Sequence, residues 1–186
     1  LIEQVATSTS AFVEALPVMR EHQVHALRKI YFETANQYVD NQPNGVILDK
    51  FPLNVVNVPM IYRLFPDAKI IFVLRHPCDA CLSCFMQSFE PNAAMDNFYT
   101  LADTVRLYCQ VMRLWETLER TLPLNVHYIR YEDLVAGFSS RVSEMLAFLD
   151  LPFEDGTRDF VMSARGKRIS TPSYRQVSQP IYTDRK

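Results

Sequence analysis

The sequence predicts an α/β fold, a parallel sheet flanked by helices. Three observations lead there. Short apolar runs rich in β-branched residues, at Val46–Leu48, Lys69–Leu74 and Val126–Ile129, are separated by long stretches of helical periodicity. Strands that alternate with helices in this way run parallel, with helices on both faces. Each run also ends in charged or aromatic residues, Asp49-Lys50, Arg75-His76 and Arg130-Tyr131, and in such sheets ligands sit at the carboxyl ends of the strands.

The elements follow in order. Residues 11–39 read as helix with a restart at Pro17, because proline cannot donate within a helix. Val24, Leu27, Tyr31, Ala35 and Tyr38 recur at three- and four-residue intervals and mark its inward stripe. Asn41-Gln42-Pro43-Asn44-Gly45 ends it. Val46–Leu48 is a short buried strand, and the chain turns at Phe51-Pro52 into a helix reaching Leu64. After the turn Phe65-Pro66-Asp67-Ala68 comes the second strand, Lys69–Leu74, and then a helix over 77–89. A long helix over 98–122 carries Leu101, Val105, Tyr108, Met112, Trp115 and Leu118 on one stripe, and Pro123 stops it. The third strand, Val126–Ile129, leads into a helix reaching Leu149, with Val142, Met145 and Leu149 inward. A short helix follows near 157–163. From Ala164 to Lys186 the chain is polar and aperiodic, a loop that needs a ligand to order it. The expected organisation is an α/β domain over 1–163 and a terminal loop over 164–186.

Composition narrows the function. A 186-residue chain that is 48% hydrophobic can bury an ordinary core. A net charge of −2 gives no sign of a polyanion-binding surface overall, so no nucleic-acid partner is expected and any phosphate recognition is local. The longest unbroken apolar run, Ile70–Leu74, is too short to span a membrane. The four glycines are isolated, so neither G-x-G-x-x-G nor G-x-x-x-x-G-K-[ST] occurs. Cys78, Cys81 and Cys84 recur every third residue, with Cys109 distant. The spacing admits an iron–sulfur or redox site, or small apolar residues sharing one broad helix face. A fourth nearby ligand and a following Cys-Pro are absent, which favours the helix face. His22, His25, His76 and His127 lack ligand spacing, so no metal is expected.

Arg75-His76-Pro77 is the sharpest local feature. A strand delivers a guanidinium beside a helix whose first turn holds Pro77, and Ser83 stands about two helical turns into that helix. The forked donors of Arg75, the first-turn amides and the Ser83 hydroxyl together form a receptor for phosphate. Arg165, Lys167 and Arg168 form a further basic cluster, either phosphate-seeking or solvated.

Taken together, Asp49-Lys50-x-Pro52, Arg75-x-Pro77 with Ser83, and Tyr131-Glu132-Asp133-Leu134 resemble the sulfotransferase superfamily. The likeness is greatest to the branch of tyrosylprotein sulfotransferases and of bacterial sulfotransferases with tetratricopeptide repeats. Ser173-x-x-Gln176-Val177-x-Gln179-Pro180 is similar to a late donor-binding loop of that branch. Leu1-Ile2-Glu3-Gln4 is similar to the segment just after its P-R-S-G-T-[ST] loop, so the chain reads as truncated at its N-terminus.

The resemblance implies a P-loop-NTPase-like fold without its first strand and phosphosulfate loop. It implies a donor substrate, 3′-phosphoadenosine-5′-phosphosulfate, no metal, and an acceptor hydroxyl on a protein tyrosine or a carbohydrate. Arg75 and Ser83 would hold the 3′-phosphate and Tyr131 the adenine. Lys50 would neutralise charge at the sulfuryl group, with Ser173 donating nearby. Glu14 would act as base on the acceptor, although a first-turn carboxylate also favours a helix for dipole reasons. The fragment is expected to be inactive alone. The compartment would be cytoplasmic for the bacterial type and the Golgi lumen for the tyrosylprotein type, and tetratricopeptide repeats would lie upstream. Two alternatives stand beside this reading: a P-loop nucleotide kinase with Asp49 as its Mg²⁺ ligand, and a non-catalytic binding module that keeps the fold.

Overall fold

The computed structural model describes residues 14–38 and 45–154. They fall into two compact units. The first contains the described residues up to Ala68 together with Val111–Asn125. The second contains Lys69–Gln110 together with the described residues from Val126. The expected features at residues 41–44, at 157–163 and at 164–186 lie outside the described residues.

In the first unit, turn residues 16–18 surround Pro17, and helix α1 runs Glu21–Ala35. Its start is set by Arg20, whose N–H donates to Gln23 Oε1 at 2.8 Å. The stripe read from the sequence is inward for Val24, Leu27, Tyr31 and Ala35, while Tyr38 is exposed. A 3-10 turn, Asn54–Asn57, leads into α2, Val58–Leu64, with Pro59 in its first turn. Arginine side chains satisfy the backbone carbonyls that helix ends leave open. Arg28 donates to Leu64 O, and Arg63 donates to Leu16 O and Met19 O. Tyr31, Phe32 and Phe65 meet ring to ring, with the Arg28 guanidinium 5.9 Å from the Phe65 centroid.

One expectation fails here. Val46–Leu48 is not a strand: residues 45–50 are irregular, and Val46 and Leu48 are 63% and 79% exposed. An apolar run becomes a strand only when a neighbour shares its ladder, and among the described residues none does.

The second unit holds the sheet. Strand β1, Lys69–Leu74, pairs with β2, Asn125–Arg130, in a parallel two-stranded sheet. Between them in sequence come α3, Pro77–Phe85, a 3-10 turn at Met95–Phe98, and α4, Leu101–Thr121, whose residues from Val111 belong to the first unit. Helix α4 begins three residues later than predicted because Thr100 caps it. The Asp103 N–H donates to Thr100 Oγ1 at 3.0 Å, and the Thr100 hydroxyl donates to Asp103 Oδ2 at 2.7 Å. Thr104, not Leu101 or Val105, lies on the buried stripe, which continues through Tyr108, Met112, Trp115 and Leu118. The buried Thr104 hydroxyl donates to Thr100 O at 2.8 Å.

The helix predicted through Leu149 is two helices, α5, Tyr131–Ala136, and α6, Phe138–Phe148. Gly137, at φ −142° and ψ 53°, separates them. Glycine gains the least from helical geometry, so the break falls there. Side chains of alternate parity face opposite sides of a strand. His127 stacks on Phe148 at 5.3 Å and Lys69 stands over the same ring at 5.8 Å, so α6 covers that face. Phe72 and Tyr128 pair on the other face at 5.7 Å. Helix α6 ends in a Schellman motif, with Leu151 N–H to Leu146 O at 2.9 Å and Asp150 N–H to Ala147 O at 3.1 Å. Asp150 takes the left-handed position, φ 59°, and pairs with Lys69.

Candidate functional site

Arg75 and the start of α3 come from one short stretch, and the β2–α5 corner meets them inside the second unit. Strand β1 ends at Leu74, and His76, at φ −50° and ψ 126°, is the N-cap residue of α3. No side chain caps this helix. Pro77 has no N–H, and Ala80 N–H reaches back to His76 O at 3.0 Å. The amides of Cys78 and Asp79 in between have no carbonyl within the helix to reach.

Arg75 is 31% exposed at its side chain. Its guanidinium lies over the Tyr131 ring, 5.2 Å from the centroid. Asp79 Oδ2 is 3.9 Å from one terminal nitrogen, too far for a hydrogen bond. Arg75 Nε is sequestered from solvent with no hydrogen-bond partner. Among the described residues, Arg75 therefore faces the Asp79 charge but makes no hydrogen bond, and its donors are left for something else. An anion fits this corner: a buried donor needs an acceptor, and uncapped helix amides point the same way. Ser83 is half-buried and four residues beyond Asp79, hence on the same face of α3 one turn further along.

Glu132 secures the corner. Its Oε1 accepts from the His76 N–H at 2.8 Å, and Arg130 Nε lies 4.0 Å from its Oε2. These partners hold its carboxyl below the ordinary carboxylate range. The His76 amide contributes most, then its own backbone N–H, with the Arg130 charge helping. The Glu132 charge is thus committed to backbone amides and does not compete for Arg75.

The cysteines take a structural place. Cys81 is buried, Cys84 half-buried, and Cys78 and Cys109 exposed. Burial pushes the Cys81 and Cys84 thiols up, although Arg75 pulls in the other direction on Cys84. Among the described residues no group of three or more His, Cys, Asp or Glu could hold a metal ion.

The other site residues read from the sequence stand apart in the chain. Glu14 and Lys50 are exposed and belong to the first unit. Asp49, beside Lys50, accepts from the Tyr31 hydroxyl at 3.2 Å. Ser173 lies outside the described residues, as do Arg165, Lys167 and Arg168. Sequence reasoning gave no role to Asp79 or Glu132. Each is an acidic residue in the first turn of a helix that directly follows a strand, and that placement was the available signal.

Fold and corner define an α/β domain whose sheet presents a guanidinium and an uncapped helix start at its carboxyl end. Residues 3–155 match the profile described as "Sulfotransferase family", and the chain belongs to that family. It is also similar to a protein of Aquifex aeolicus (strain VF5) described as "Uncharacterized protein", with 24% identity over 185 residues, 97% of this chain. The chain spans 23% of the length of that relative. No solved structure matches it. No described helix is long and apolar enough to cross a membrane.

Proposed function

We propose that this chain binds 3′-phosphoadenosine-5′-phosphosulfate at the Arg75 corner and serves a protein that passes its sulfuryl group to a hydroxyl of a tyrosine or a sugar. The observation that carries the reading is the state of Arg75: a guanidinium fixed at a strand end, with a sequestered Nε and no hydrogen bond among the described residues. Family membership supports the reaction class.

In this reading Arg75 and the first-turn amides of α3 grip the 3′-phosphate, and Ser83 adds a hydroxyl. Tyr131 backs Arg75 with its ring, and the same amphipathic side chain borders the adenine. The donor supplies an activated sulfuryl group. The acceptor oxygen bonds to sulfur as the bond from sulfur to the bridging oxygen breaks, and adenosine 3′,5′-bisphosphate leaves. Lys50 neutralises charge on the bridging oxygen, Ser173 donates in the same region, and Glu14 takes the acceptor proton.

Isothermal titration with adenosine 3′,5′-bisphosphate tests the reading, alongside transfer of labelled sulfate from the donor to tyrosine peptides and glycans. Arg75→Ala is expected to weaken nucleotide binding on the order of 10- to 100-fold, the range of a lost charge-assisted contact, with far-UV circular dichroism unchanged. Equal binding by native and Arg75→Ala proteins would refute it. Preference for ATP with Mg²⁺ would point to phosphoryl transfer instead.

A further inference from the structure

We propose that Glu132 is a positioning residue: its carboxylate fixes the β1–α3 turn at His76 and so sets Arg75 and the uncapped first turn of α3 for the donor's phosphate. The inference rests on the donor-binding reading above and names a residue through which that site is built.

Glu132 reaches from the start of α5 to a backbone amide 56 residues earlier. The amide it holds belongs to His76, directly after Arg75 and directly before the helix. Consecutive residues of one corner thus act on consecutive residues of the other: the Tyr131 ring lies under the Arg75 guanidinium, and the Glu132 carboxylate takes the next N–H. A single such bond decides where the strand end stops and where the first-turn amides point. Oε2 is sequestered from solvent, 4.0 Å from Arg130 Nε, and has no hydrogen-bond partner among the described residues. A surface carboxylate kept only for solubility would not lose access to water at one oxygen while the other is bonded to the backbone.

Glutamine at this position keeps an oxygen acceptor for the His76 amide, whereas alanine removes it. Glu132→Gln is therefore expected to bind adenosine 3′,5′-bisphosphate within about 3-fold of native, and Glu132→Ala to lose about 10-fold or more. Arg75→Ala combined with Glu132→Ala is expected to lose less than the two single losses multiplied together, because Glu132 acts in part through Arg75. Backbone hydrogen exchange on the ligand-free protein gives a second measure. Exchange at the His76 and Ala80 amides is expected to quicken at least 10-fold in Glu132→Ala and to stay near native elsewhere. A merely structural role would lower the melting temperature and speed exchange throughout the unit, with the folded fraction binding normally. Unchanged exchange at His76 in Glu132→Ala, or fully additive losses in the double variant, would overturn the inference. Native protein that does not bind the nucleotide would instead overturn the donor-binding reading, and the two failures are read separately.

Discussion

The Arg75 guanidinium carbon stands 5.2 Å from the centre of the Tyr131 ring, so one strand end supplies the cation and the other the surface it rests on. A ring face attracts a cation through its quadrupole, by about 0.5–2 kcal/mol according to exposure. The ring, not the hydroxyl, does this. Tyr131→Phe is expected to bind adenosine 3′,5′-bisphosphate like native, and Tyr131→Ala to bind roughly 2- to 30-fold more weakly, as measured by titration calorimetry.

Arg75→Lys keeps the charge and loses the fork. Lysine offers a compact ammonium with no planar pair of donors and a poorer stack on Tyr131. Affinity for the nucleotide is expected to fall on the order of 10-fold, short of the loss in Arg75→Ala. Recovery of native affinity with lysine would show that charge alone suffices.

The Glu132 carboxyl sits below its unfolded value, so acid works against it. A depressed carboxylate contributes stability that is present above the unfolded value of about 4.3 and is lost as pH falls through the lower folded value. Acid unfolding followed by circular dichroism is expected to show a shallower loss of stability below about pH 4.3 in Glu132→Gln than in native protein.

Thiol labelling sorts the cysteines by exposure. Cys78 and Cys109 are open, and burial holds the Cys81 and Cys84 thiols in the unreactive protonated form. Iodoacetamide at pH 8, read by peptide mass spectrometry, is expected to modify Cys78 and Cys109 well before Cys81. Equal rates at all four would contradict the buried face of α3.

Trp115 is 2% exposed and is the single tryptophan of the chain. Trp115→Ala is expected to cost about 3–5 kcal/mol through the cavity it leaves. In native protein the emission of Trp115 is expected to shift to the red on urea unfolding, reporting the loss of the first unit's core.

The stretch from Lys69 to Phe85 was the most legible part of the sequence. An apolar run, an arginine and a proline at a first helical turn each depend on local chemistry, and each survives in the fold. Thr100 was equally local, and its cap sets the start of α4, whereas the burial of Thr104 in place of Leu101 depends on packing that the periodicity of apolar residues does not report. Gly137 was overlooked because a single glycine does not force a break. Val46–Leu48 has the composition of a strand, but strandhood depends on a partner that its own residues do not specify. Glu132 belonged to a recognised tetrapeptide and still carried no assigned role, because its partner amide is 56 residues away.

Lys69, the first residue of β1, is paired with Asp150, which closes the turn after α6, across 81 positions of sequence. The second unit therefore completes itself only when segments distant along the backbone find one another. Closing so long a loop costs entropy before any contact is made, and the parallel pairing of β1 with β2 demands the same long-distance search. Helices α3 and α4 are local in sequence, whereas the corner that holds Arg75 joins segments 56 residues apart. The Lys69–Asp150 clasp thus belongs to the long-range closure on which the Arg75 corner depends, even though neither residue touches that corner.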